Sequence, residues 1–69
     1  MKQSVYIGGM HCSMCSGRVT RVLTALSGVE ACEVELSEGR AVLTVREPLG
    51  EAVLKEAVEN LGFDFLRAE

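Results

Sequence analysis

The chain has 69 residues, 48% of them apolar, and seven Lys and Arg against ten Asp and Glu give it a net charge of −3 at pH 7. A chain of this length is expected to form one domain over 1–69, burying only about 60% of its unfolded surface in a modest core. No apolar run approaches the roughly 20 residues that span a bilayer, and the opening Met1-Lys2-Gln3-Ser4 lacks the apolar stretch of a secretion signal. Three cysteines are an odd number for a secreted disulfide framework, so a soluble, cytoplasmic protein with reduced thiols is expected.

Residues 3–7 alternate, with Val5 and Ile7 on one face, and predict a half-buried strand. Gly8-Gly9 then permits backbone turns closed to other residues. Met10 is apolar in an otherwise polar loop, and its expected place is in the core beneath that loop, where methionine fills irregular gaps. From Ser13 the period becomes helical. Cys15, Val19, Val22, Leu23 and Leu26 make one stripe, with Ser13 as the expected N-cap and Gly28 as the expected C-cap.

Residues 29–36 alternate again, placing Cys32, Val34 and Leu36 on one face and Glu33 and Glu35 on the other. Ser37-Glu38-Gly39 makes a turn into residues 40–45, where Ala41, Leu43 and Val45 are in phase, so a hairpin is predicted with Cys32 packed in the core. Pro48 suits the first position of a second helix with Glu51 near its positive end. Leu49, Val53, Ala57 and Leu61 form its stripe, supplemented by Leu54 and Val58, and Asn60-Leu61-Gly62 stops it. Residues 63–67 are the last strand. The order βαββαβ, with right-handed crossovers, predicts an α+β ferredoxin-like sandwich, a four-stranded antiparallel sheet with both helices on one face. That arrangement should bring Phe63 to the loop holding Cys12 and Cys15.

Cys12 and Cys15, at C-x-x-C spacing where a loop opens a helix, are the residues with chemistry to offer. Their sulfurs can converge on one point faced by the unpaired N–H groups of the first turn, which favours thiolate. Soft thiolates select Cu(I) or Zn(II). Two sulfurs suit low-coordinate Cu(I), whereas a structural zinc site takes four ligands, and the chain offers only Cys32 and His11 besides. Cys32 belongs to the core, and a lone exposed imidazole such as His11 is more often solvated than ligating.

Charge is segregated along the chain. Residues 1–29 hold Lys2, Arg18 and Arg21 and no acid, while all ten acids follow. Three cations do not make the dense basic stripe of a nucleic-acid surface. A small basic collar beside the thiols fits docking to an acidic protein partner.

Gly9-Met10-His11-Cys12-Ser13-Met14-Cys15 and its helix, the Ser27-Gly28-Val29 corner, the Glu38-Gly39-Arg40-Ala41 hairpin and Leu61-Gly62-Phe63-Asp64 resemble the heavy-metal-associated domain over nearly the whole chain. That family includes soluble copper chaperones and the amino-terminal domains of copper-transporting P-type ATPases. The resemblance implies that Cys12 and Cys15 are the metal thiolates, Met10 a buried support and Phe63 the residue packed near the metal. His11 departs from the threonine commoner at its place, and Phe63 is the residue often found in ATPase-attached domains, while the compact ends point toward a freestanding carrier.

The function expected is carriage of Cu(I), with Zn(II), Hg(II) and Cd(II) as alternative ions, and its transfer to a copper-transporting P-type ATPase or another dithiol domain. No catalytic residue is assigned. His11, Met14, Arg18, Arg21 and Phe63 would frame the contact, and the apo protein is expected to be a monomer with room for a metal-bridged dimer through four thiolates. Two other classes compete. A Zn(II) domain would use His11 as a further ligand, and a thiol-disulfide redox module would use the C-x-x-C directly, although βαββαβ is not the thioredoxin order. A sensing module inside a transporter is a third arrangement of the same chemistry.

Overall fold

The computed structural model describes residues 1–10 and 13–69, apart from the side chain of Ser13. Five-residue to seven-residue alternating stretches form β1 (Lys2–Gly8), β2 (Val29–Glu35), β3 (Arg40–Val45) and β4 (Asp64–Ala68), and the two 3.6-period stretches form α1 (Ser13–Thr24) and α2 (Glu51–Asn60). The strands lie in the order β2-β3-β1-β4, every neighbouring pair antiparallel. This is the expected ferredoxin-like α+β sandwich. β1 and β3 occupy the middle, so the strand that delivers the thiol loop is hydrogen-bonded on both edges.

The core lies between sheet and helices. Val5 and Ile7 of β1, Ala41, Leu43 and Val45 of β3, Val19 and Leu23 of α1, and Leu54, Ala57 and Val58 of α2 are buried in one cluster with Met10. Leu23, Leu43 and Leu54 are wholly buried, each worth about 1.5–3 kcal/mol of transfer free energy. Cys32 and Val34 of β2 are half-buried against the cluster.

Four expectations need correction. The helix count begins at Ser13, which is therefore the first residue of α1 and not its cap. Gly28 does adopt a left-handed backbone (φ 90°), but α1 ends at Thr24. The glycine closes a separate turn, where Val29 N–H donates to the Leu26 carbonyl at 3.2 Å. Leu36 leaves the strand alternation for a one-turn 3-10 segment, Leu36–Glu38, and is exposed. Lastly, α2 starts at Glu51 with Gly50 as its N-cap, so Pro48 and Leu49 precede the helix. Its buried stripe is Leu54, Ala57 and Val58, and Val53 is 48% exposed.

The side chain of Gln3 ties β1 to the segment before α2. Its Nε2 donates to the Leu49 carbonyl at 3.0 Å and its Oε1 accepts from the Leu49 N–H at 3.0 Å. Both backbone groups of Leu49 are thereby satisfied by β1.

Candidate metal centre

The centre is a strand-to-helix connection held from below and from one side. Gly9, at φ 89°, turns the chain where β1 ends, in a region a side chain would strain. Met10 follows immediately and is only 5% exposed, so its side chain anchors the loop in the core cluster. On the other flank, α1 begins at Ser13 and carries Cys15 in its first turn, half-buried and packed against that cluster. Phe63 reaches the connection from the loop before β4. Its Cδ1 lies 3.7 Å from the position a β-carbon on Gly9 would take.

The opening of α1 favours negative charge, although Asp64 pairs with Gly8 at the same end of the sheet. The first turn of α1 contains no acid to occupy its N–H groups, and the partial positive charge there is about half an elementary unit. Arg18 and Arg21 follow one and two turns along α1, both exposed, as is Met14 at 78%. Met14, Gly17, Arg18 and Arg21 share one exposed stripe of the helix.

His11 and Cys12 lie outside the described residues, so the site is built here around Cys15 alone. Cys32 is not part of it. It packs on β2 within hydrogen-bonding reach of Thr20, five residues or about 7.5 Å along α1 from Cys15. Among the described residues no group of three His, Cys, Asp or Glu is placed to hold a metal, and no helix is long and apolar enough to cross a membrane.

The heavy-metal-associated domain family model matches residues 4–64, spanning β1 through the first residue of β4. The chain belongs to the heavy-metal-associated domain family. An uncharacterized protein of Haemophilus influenzae is 44% identical to this heavy-metal-associated domain over 59 residues, covering 84% of this chain and 85% of that protein. A copper-transporting ATPase of Saccharomyces cerevisiae is 33% identical over 58 residues, covering 84% of this chain but 6% of the ATPase. Among solved structures, the yeast copper transporter domain Ccc2a, determined in apo and Cu(I)-loaded states, superposes with a TM-score of 0.83 at 31% identity, covering 96% of this chain and 94% of that one. A chain at the same identity and coverage occurs in an Atx1–Cu(I)–Ccc2a complex, with a TM-score of 0.79. This heavy-metal-associated domain is thus related to a copper-transporting ATPase and to a copper transporter domain.

In the sequence Gln3 reads as an ordinary strand residue, because its bond partner Leu49 is 46 positions away.

Proposed function

We propose that this domain binds one Cu(I) through the thiolates of Cys12 and Cys15 and hands it to another dithiol domain, the metal-binding region of a copper-transporting P-type ATPase. The observation that carries the reading is the placement of Cys15 in the acid-free first turn of α1, in a chain related to a domain solved with Cu(I). Thiolate sulfur is the soft donor that Cu(I) prefers.

Each thiol loses its proton on binding, and the Cu(I)-dithiolate unit then carries a formal charge of −1. The helix N-terminus offsets that charge. Two-coordinate Cu(I) leaves its flanks open, so a partner thiolate adds to the ion before a Cys12 or Cys15 bond breaks. A second exchange completes the transfer without oxidation or release of the ion. Met10 keeps the loop in place from below, Phe63 shields it on one side, and His11 and Met14 border the contact. Arg18 and Arg21 steer the face toward acid. The domain so read is a carrier acting in the cytoplasm, and no residue is assigned a catalytic role.

Anaerobic competition of the reduced protein against a Cu(I) chelator, beside a Zn(II) titration, tests the reading. One Cu(I) retained per monomer with Zn(II) lost easily is the expected result. Replacing both cysteines, Cys12→Ser with Cys15→Ser, should abolish tight binding while circular dichroism stays native-like; retained binding would sink the assignment. Preference for Zn(II), removed by His11→Ala, would reassign the domain to divalent ions.

A further inference from the structure

The two helices leave an apolar cleft between them. Val22 and Leu26 of α1 line one wall, and Val53, Ala57 and Leu61 line the other, around a volume of about 420 Å³. Val53 is 48% exposed there, although Leu54, Ala57 and Val58, which follow it in α2, are buried. Among the described residues the only polar groups of the lining are Glu56 and Asn60, both on α2 and both exposed. Apolar walls of this extent with a few polar groups to orient a ligand have the character of a small-molecule site.

Charge along α2 indicates what kind of ligand the cleft suits. The C-terminal end of a helix carries a partial negative charge and is stabilised by a nearby cation. The last turn of α2 has no basic residue and contains Glu59 instead. Glu56 lies three residues earlier on a neighbouring part of the helix surface. Neither carboxylate takes part in an ion pair among the described residues, and Arg18, Arg21 and Lys55 are absent from the cleft lining. Acids at the negative end of a helix break a local preference, and nothing positive inside the fold offsets them.

We propose that the cleft between α1 and α2 binds an amphipathic organic monocation, a small hydrophobic body bearing an ammonium head. The body lies along Val22, Leu26, Val53 and Ala57, and the head sits against Glu56, in the field of Glu59 and the α2 C-terminus. Size favours a small molecule over a partner helix. From Val53 to Leu61 the α2 wall runs about 12 Å, so a third helix laid along it would find only about two turns of contact. The lining contains no cysteine. Binding is therefore independent of the metal reading and should survive replacement of Cys12 and Cys15 by serine.

The test is an amide-resolved NMR titration of the reduced protein with three probes of one shape: phenylbutylamine, phenylbutanol and phenylbutyrate, which are cationic, neutral and anionic near pH 7. The amine should bind saturably with a Kd on the order of 1 mM, moving the amides of residues 22–26 and 53–61. The alcohol should bind about threefold more weakly and the carboxylate about tenfold more weakly. Glu56→Gln should bring the amine to the affinity of the alcohol, and Val53→Gln should weaken all three probes while circular dichroism stays native-like. Equal affinity for the three probes, or a preference for the amine that survives Glu56→Gln, overturns the proposal. A titration that never saturates, or that moves amides outside the cleft, overturns it as well. If a basic amphipathic helical peptide moves the cleft amides and the amine does not, the site belongs to a protein partner and the proposal fails.

Discussion

Cys32 shows how one residue type takes opposite characters in one small domain. Its thiol is half-buried beside the core, and burial pushes its pKa above the ordinary thiol value. A side-chain hydrogen bond with Thr20 pulls it partly back, and the charge of Glu33 pushes it up again. Cys15, in the first turn of α1, instead faces a dipole that favours the anion. Because the folded pKa of Cys32 lies above its unfolded value, the linked stabilisation is present below the unfolded pKa and is lost as pH rises through the folded one. The same shift keeps the sulfur protonated and poorly nucleophilic near pH 8. With Cys12 and Cys15 both replaced by serine, alkylation of Cys32 by iodoacetamide near pH 8 should run about tenfold slower in native buffer than in concentrated urea. Equal rates in the two solutions would show that burial does not protect this thiol.

At the scale of the elements, the junction before α2 depends on a contact that no local pattern reveals. Gln3 satisfies the N–H and carbonyl of Leu49 together, both bonds partly buried. Gln3→Ala leaves both groups without that partner and should lower stability by about 1–3 kcal/mol, read as a lower urea midpoint, with Cu(I) affinity unchanged. An unaltered midpoint would mean that water replaces the amide at no cost. The strands were legible because alternation has a period of two, and a wrong register would turn every apolar side chain outward. The helical stripe of α1 was legible for the corresponding reason. In α2 the apolar residues fill more than one stripe, and the sequence pattern does not decide between Val53 and Leu54. In the fold Leu54, Ala57 and Val58 turn inward and Val53 stays 48% exposed. Leu36 was misplaced because a 3-10 turn ends the alternation one residue early. Met10 could be read because an apolar residue in a polar loop needs somewhere to go.

Along the whole chain, charge is divided between the first 29 residues and the rest, although the fold returns Asp64 to the side of Gly8. All ten acids follow residue 29, whereas residues 1–29 contribute Lys2, Arg18 and Arg21 without an acid. Most of the later cations are absorbed locally. Arg40 is bound by Glu35, which with Tyr6 holds the guanidinium more firmly protonated than usual, and Arg67 lies 4.0 Å over the Tyr6 ring. Among the described residues Arg18 and Arg21 are exposed without an ion pair, although the chain as a whole is negative. Exposed pairs contribute little to affinity but alter association rates, and screening by salt shortens their reach from about 30 Å at 0.01 M to about 8 Å at 0.15 M. Cu(I) delivery to an acidic acceptor should accordingly slow as salt is raised through that range. The double variant Arg18→Glu with Arg21→Glu should lower the low-salt rate by about tenfold or more, invert its salt dependence, and leave chelator-measured Cu(I) affinity unchanged. The two outcomes separate steering from coordination: a variant that still delivers at the wild-type rate would take the arginines out of docking, and one that loses the ion would place them in the electrostatics of the thiolate pair itself.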